Sequence, residues 1–281
     1  MSSQQAMIRY HLGNRFFDQL TGATKVQLFL VSVLLMMISF DLRVIVPLFL
    51  IHLAIYKSVY EPMAALKFIF RFTIAMNFLN FLLFYLVNPV IGTDLVGTTT
   101  ILWRFTDHYV IAYETLIYFI TRLLKILGTL IISLWFIMSI TPSQLASGLN
   151  ACGVPYRFCT MISLGLRYIP DVHRDFVAIK ESMQMRGMEL DARKASLWHR
   201  LKANTQILLP LILISFEKIE VIASAMDLRG YGQGDKRSYY SELDVSANDR
   251  KVRLLIIAEL AVLIFYAILT FRGQAPRLWV W

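Results

Sequence analysis

The residues of this chain best suited to binding another molecule occur in two short repeats. Residues 181–190 read ESMQMRGMEL and residues 224–233 read SAMDLRGYGQ, so an Arg-Gly step twice follows a helix-like run, with Arg186 and Arg229 lying 43 residues apart. Glycine takes the left-handed conformation that ends a helix without steric cost, and a cation suits the negative end of the helix dipole. For one copy alone, helix capping is a sufficient explanation.

Two copies that close neighbouring helices indicate a paired role as well. Arginine binds carboxylates through two parallel hydrogen bonds and dominates many protein interfaces. Two helix ends that each present an arginine are suited to two matching acidic grooves, which suggests a partner with two-fold symmetry. We call Met185, Arg186 and Gly187 tip 1, and Leu228, Arg229 and Gly230 tip 2.

The composition of the whole chain indicates an integral membrane protein. Of the 281 residues, 57% are hydrophobic and 17% are charged, and the mean hydropathy is +0.57, which is high for a soluble domain of this length. The formal net charge of +9 raises the question of nucleic acid, but the basic residues lie between and beside apolar runs. Membrane topology accounts for that placement, so no nucleic-acid partner is predicted.

Five apolar segments predict an all-α, polytopic membrane protein with about five transmembrane helices and a cytoplasmic domain of long helices. The segments are residues 26–40, 44–56, 66–87, 110–138 and 252–271. The first two are short for a bilayer that needs about 20 residues, and they are predicted to form a tight helical hairpin. A sixth run, 207–222, contains Pro210 and three charged residues and is not assigned as a span.

Four parts of the chain are predicted from these segments. They are a cytoplasmic N-terminus (1–25), a membrane domain of four spans (26–139), a cytoplasmic domain (140–250), and a final transmembrane helix with the C-terminus (251–281). The third part holds 14 of the 28 Lys and Arg, which places it in the cytoplasm by the positive-inside rule. Three helices are predicted in it, beginning at Pro142, at Pro155 and near Ser196.

No pattern in the sequence predicts catalysis. The run Gly230-Tyr-Gly232-Gln-Gly234 lacks the Gly-Lys-Ser/Thr step of a phosphate loop, and the five histidines lack metal-ligand spacing. No catalytic residue, metal site or bound cofactor is therefore expected. Arg122 and Lys125 interrupt an apolar run, where they could mark a substrate path, reach the membrane surface or pair with a neighbouring subunit; a structural role is preferred.

Residues 140–232 resemble the transmembrane T component of energy-coupling factor (ECF) transporters, a branch of the ATP-binding cassette (ABC) importers. The resemblance rests on Thr-Pro-Ser at 141–143, Gly-Val-Pro at 153–155, Leu-Arg-Tyr-Ile-Pro at 166–170 and the two Arg-Gly steps, in the family's order. In that family the T component joins two cytoplasmic ATPases to a small membrane protein that captures the substrate, the S component. Its coupling helices end in two Ala-Arg-Gly motifs that sit in grooves of the ATPases.

The resemblance implies that tip 1 and tip 2 dock to the ATPases. Met185 and Leu228 replace the family's alanine, which suggests grooves of altered shape and a dedicated ATPase pair, identical or different. The resemblance also implies a non-enzymatic scaffold in a prokaryotic cell membrane, with ATP and Mg on the partners. Apolar faces of the coupling helices are expected to hold the S component; the candidate residues are Leu164, Leu208, Leu211 and Ile219.

The implied role is ATP-driven uptake of a vitamin or vitamin precursor. One alternative is the same scaffold in a cobalt or nickel importer. Another, of a different class, is a polytopic membrane enzyme that acts on a lipid or phosphate substrate. The enzyme alternative lacks any convergent acid, base or nucleophile.

Overall fold

A computed structural model describes residues 19–59, 64–88, 92, 100–104, 110–187, 197–234 and 246–272. Over these residues the chain forms eight α-helices and two short strands. They are α1 (Gly22–Ile38), α2 (Leu42–Val59), α3 (Ala64–Val87), β1 (Ile101–Arg104), β2 (Val110–Ala112), α4 (Tyr113–Ser139), α5 (Pro142–Ala151), α6 (Tyr156–Met185), α7 (Leu197–Leu228) and α8 (Ala247–Phe271). Residues 1–18 of the predicted N-terminal part, and residues 273–281 at the other end, lie outside the described residues.

The helices confirm the predicted all-α, polytopic class, and the chain is a multi-pass membrane protein. Helices α2, α3, α4 and α8 are long and apolar enough to cross a membrane, and α1 is a shorter apolar helix of 17 residues. Helix α7, which contains the run 207–222, is not apolar enough, since Glu217, Lys218 and Glu220 interrupt it.

The start of the fourth apolar stretch differs from the prediction. Residues Val110–Ala112 form β2, which pairs with β1 in an antiparallel sheet, and the helix begins only at Tyr113. The carboxylate of Glu114 accepts hydrogen bonds from the Thr100 N–H at 2.9 Å and from its hydroxyl at 2.6 Å. These bonds hold the residue before β1 against the first turn of α4, so the chain pairs as a hairpin before it turns helical.

The predicted tight hairpin of α1 and α2 is wrong in its packing. Residues 39–41 do connect the two helices, and Leu35, Met36, Ile45 and Leu48 cluster near the turn. Along most of their length, however, α1 packs against α8 and α4, while α2 packs against α4. Each helix buries its apolar side on a partner distant in sequence, which the short connection does not reveal.

Two compact units make up the chain. One comprises residues 1–141 with 243–281, and the other comprises residues 142–242. The core of the first unit includes Trp135 and Leu28, both completely buried. In the second unit, α5 packs against α6 and α6 contacts α7.

Two polar contacts join the helix ends of the first unit. The buried Lys25 ammonium of α1 donates to the Ser139 C=O, the last residue of α4, at 2.7 Å. The Asp249 carboxylate of α8 accepts from the Thr21 N–H and hydroxyl, each at 3.0 Å. A cation at the last carbonyl of a helix and an anion at a helix start both match the helix dipoles. The residues before and inside the first turn of α1 therefore bind α4 and α8 together.

Replacing the buried ammonium tests this arrangement. We expect Lys25→Met to lower the free energy of unfolding by about 1.5–3 kcal/mol, because the charge-assisted hydrogen bond to the Ser139 carbonyl is lost. Thermal unfolding in detergent measures the change. The matched control is Lys57→Met, since Lys57 is exposed in α2; equal destabilisation by the two substitutions would contradict the role given to Lys25.

Candidate partner-docking site

Tip 1 closes α6 with two exposed side chains. The Arg186 N–H donates to the Ser182 C=O at 3.2 Å, and Gly187 takes a φ of +90°. L-residues rarely adopt that angle, so the glycine determines where the helix stops. Met185 is 83% exposed, and Arg186 is exposed as well. The tip thus presents a guanidinium and a large apolar side chain side by side.

Tip 2 repeats this arrangement at the end of α7. Gly230 has a φ of +68°, and the Tyr231 N–H reaches back to the Met226 C=O at 2.9 Å. This six-residue closure is the Schellman motif that commonly follows a helix. Leu228 is 90% exposed and Arg229 is exposed. The predicted helix ends at both tips are therefore confirmed, while docking stays a prediction.

The two arginines have no acidic partner within the described part of the chain. Neither Arg186 nor Arg229 forms a side-chain ion pair or hydrogen bond with a described residue. Arginine is among the residue types enriched at interface hot spots, so these two exposed side chains are candidates for partner contact. Helix capping explains the glycines but leaves the exposure of Met185 and Leu228 without a purpose.

The two tips lie at opposite ends of an antiparallel helix pair. Tyr231, just after tip 2, packs edge-on against Tyr156 in the first turn of α6, with ring centroids 5.8 Å apart. Midway along, the Lys218 ammonium of α7 donates to the Asp175 carboxylate of α6, and this hydrogen bond raises the pKa of the Lys218 amine. Tip 2 therefore lies beside the start of α6, and tip 1 at its end. With 30 residues at 1.5 Å each, α6 separates them by about 45 Å.

An apolar groove of about 580 Å³ runs between α6 and α7. Leu164 and Ile219, two of the residues predicted to contact the S component, line it together with Met226. Leu208 lies on α7 and is 46% exposed, whereas Leu211 is only 9% exposed. Leu211 consequently offers little surface to a partner, and the other three offer more. Contact with an S component stays a prediction for all four.

The described ranges contain no group of three or more His, Cys, Asp or Glu residues that could hold a metal ion. Cys152 is exposed and Cys159 is buried, and both are free thiols. Burial, together with the nearby Cys159, raises the pKa of the Cys152 thiol. That direction keeps the thiol protonated at neutral pH and disfavours metal ligation, which needs the thiolate.

Sequence reasoning missed the contact of Tyr156 with Tyr231 and the opposite placement of the tips. The available signals were two aromatic residues: Tyr156, which begins α6, and Tyr231, which directly follows tip 2. They gain meaning only once α6 and α7 are known to run antiparallel.

Substituting the two stop glycines should strain the tips. We expect Gly187→Ala and Gly230→Ala each to destabilise the second unit by about 1 kcal/mol, because alanine must adopt a left-handed backbone. The matched control is Gly165→Ala, inside α6, where an added Cβ meets nothing within 4 Å. That substitution should stabilise by up to about 1 kcal/mol, since alanine favours helix. Hydrogen exchange of α6 and α7 amides measures both signs, and a stabilising Gly187→Ala would contradict the account.

The sequence matches the family described as "Cobalt transport protein" (CbiQ) over residues 13–240. It is also similar to curated proteins called energy-coupling factor transporter transmembrane protein EcfT. The protein from Bacillus selenitireducens is 32% identical over 123 residues, which cover 41% of this chain and 45% of the relative. That from Lactococcus lactis subsp. cremoris is 34% identical over 107 residues, covering 38% and 40%. That from Bacillus subtilis is 26% identical over 151 residues, covering 51% and 56%. The matched stretches span about half the length of these curated relatives.

Proposed function

The chain belongs to the CbiQ family of cobalt transport proteins, and from that premise we propose that it is the transmembrane scaffold of an ECF transporter. In this role it is not an enzyme. It links two cytoplasmic ABC ATPases, which bind ATP and Mg, to a membrane-embedded S component that binds the substrate. The curated relatives named as ECF transporter transmembrane proteins support this proposal.

The observation that carries the proposal is the pair of exposed arginine tips about 45 Å apart on one antiparallel helix pair. A pair of ATPases related by two-fold symmetry presents two equivalent surfaces that lie apart from one another. One tip on each surface requires tips that face apart, and the two ends of α6 meet that requirement. Tips at the same end of the pair would compete for one groove.

The helix pair then works as a lever. When ATP binding brings the two ATPases together, each ATPase moves the tip bound in its groove. The tip stays bound because a charge-assisted hydrogen bond holds its arginine. The Asp175–Lys218 pair and the Tyr156–Tyr231 contact hold α6 to α7, so force applied at one tip reaches both helices. Exposed apolar residues along the pair, including Leu208 and Ile219, offer a surface that an S component can cover.

The substrate class follows from the S component and not from this chain. We propose a vitamin or vitamin precursor, as for ECF transporters generally. The family description names cobalt, so uptake of a cobalt or nickel ion is the second candidate. Both candidates leave the role of the tips unchanged.

Purification of the full chain, co-expressed with the genes next to its own, tests the proposal. We expect one copy of this chain to co-elute with two cassette ATPases and one small membrane protein, and ATP hydrolysis to belong to the assembly. Catalytic turnover by the isolated chain, or its purification without ATPases from cells that contain them, would contradict the proposal. Identifying the co-eluting small protein's ligand then separates the vitamin from the metal ion.

A further inference from the structure

A groove between two membrane-spanning helices contains a charged residue, Arg122, that has no part in the docking tips. Arg122 belongs to α4, nine residues after the helix begins, and it lines a groove between α3 and α4 of about 280 Å³. Among the described residues it forms no ion pair; its guanidinium packs 4.6 Å from the centre of the Phe84 ring. A cation at this depth is costly unless an anion or water reaches it.

The contact with Phe84 determines the level at which this charge lies. Phe84 is three residues before the end of α3, so the guanidinium lies about 5 Å inside that end. The apolar segment of α3, Leu66–Val87, has 22 residues and spans about 33 Å, close to the hydrocarbon thickness of a bilayer. The guanidinium therefore lies about 5 Å inside one end of this segment, within reach of lipid phosphates at that end.

The neighbouring strand marks the same end. On β1, Leu102 is 58% and Trp103 is 64% exposed, and β1 pairs with β2, which leads directly into α4. Exposed tryptophan next to a spanning helix is typical of the membrane interface. The hairpin and the charged end of the groove thus belong to one leaflet.

The groove offers a place for a phosphate and for an acyl chain. Asn80 also lines the groove, and its side-chain amide forms no hydrogen bond with a described residue. The rest of the lining is largely apolar and includes Phe78, Phe119 and Leu123. From Ile74 to Phe81 the wall extends about 10 Å along α3. No described carboxylate lines the groove, so no described residue would attract a choline ammonium.

We propose that this groove binds one anionic phospholipid of the leaflet on the hairpin side, with its phosphate on Arg122 and Asn80 and an acyl chain between α3 and α4. A carboxylate from a partner protein is the competing occupant. The short distance of the guanidinium from the end of α3 favours the phosphate, and the apolar length of the groove suits an acyl chain. The proposal requires only that the chain spans a membrane, and it is independent of the docking partners.

Native mass spectrometry of the detergent-purified full chain tests the proposal. The probes are dioleoyl phosphatidylglycerol and dioleoyl phosphatidylcholine, which share acyl chains and differ in net charge. We expect the wild type to retain one phosphatidylglycerol in preference to phosphatidylcholine, and Arg122→Gln to weaken that binding about tenfold, as the loss of a charge-assisted hydrogen bond does. Arg122→Lys keeps the charge and should lose less.

The matched control is Arg71→Gln, which removes one exposed charge from the opposite end of α3 and should bind as the wild type does. Ile120→Trp narrows the groove while leaving Arg122 in place, and it should also reduce binding. Monodisperse elution shows that each variant is folded. The proposal is overturned if the wild type and Arg122→Gln retain phosphatidylglycerol equally, or if the wild type shows no preference for phosphatidylglycerol. The second result is expected if the groove binds a carboxylate of a partner protein instead of a lipid.

Discussion

Replacing both tip arginines, Arg186→Ala together with Arg229→Ala, is expected to abolish ATP-driven uptake by the assembled transporter. Each arginine is exposed and makes no ion pair with a described residue, so we expect its removal to leave the stability of the isolated chain unchanged. A central arginine of an interface typically contributes about 2 kcal/mol or more, which corresponds to about a 30-fold loss of ATPase affinity for each single substitution. Uptake of radiolabelled substrate and co-purification of the ATPases measure the two consequences.

Arg174→Ala is the matched control for this experiment. Arg174 lies on α6 with its side chain 76% exposed, and its ion pair among the described residues is with Asp171 on the same helix. Removing it changes net charge and composition as the tip substitutions do, but it should leave uptake and assembly unchanged. Uptake at the wild-type rate by the double tip variant would contradict the docking role of both arginines.

Replacing the apolar neighbours, Met185→Ala together with Leu228→Ala, is expected to weaken ATPase binding without affecting the stability of the isolated chain. These side chains are 83% and 90% exposed, so they contribute little packing within the chain. If the grooves of the ATPases cover them, each burial contributes about 1.5–3 kcal/mol. The two losses sum to about 3 kcal/mol or more, so the double variant should bind its ATPases at least about 100-fold more weakly.

The control for this pair is Leu213→Ala, which removes the same atoms as Leu228→Ala from a site on α7 that is 56% exposed. ATPase affinity is measured by titration of the detergent-purified chain, and stability by thermal unfolding. A fall in melting temperature with unchanged affinity would contradict the proposal, because it would show that Met185 and Leu228 serve the fold. Tighter binding by the alanine variant would contradict the prediction that the ATPase grooves are shaped for larger side chains.

Local chemistry made the helices and their ends predictable. Pro155 directly precedes α6, and Gly187 and Gly230 have positive φ where the Arg-Gly steps predicted helix ends. These features depend on a few consecutive residues. Proline lacks the backbone N–H and glycine lacks the Cβ, and each affects only the helical turn in which it lies. The spans were predictable because hydrocarbon selects apolar runs of a given length.

Packing between distant helices was not predictable in the same way. Lys25 reads as a surface cation at the start of an apolar run, yet it is buried on the Ser139 carbonyl 114 residues away. Leu211 has the same apolar character as Leu208, but only Leu211 is buried. A periodic pattern shows which residues share a side of a helix. It does not show which partner that side meets.

The placement of the tips illustrates the same limit and defines the central claim. Sequence spacing predicted two arginine tips, but only the antiparallel run of α6 and α7 separates them by the length of a helix. The proposed docking to two ATPases requires that separation. Because each tip is proposed to bind its own ATPase, the contacts of both tips can be measured directly.

Photo-crosslinking from both tips in the assembled transporter provides that measurement. A photoreactive amino acid replaces Met185, Leu228 or both, since both side chains are exposed and neither substitution disturbs the stop glycines. We predict that each single variant captures one ATPase, and that the double variant yields a product with the mass of this chain plus two ATPases. Products that contain only one ATPase from the double variant, or crosslinks from either tip to the S component or lipid alone, would contradict the account.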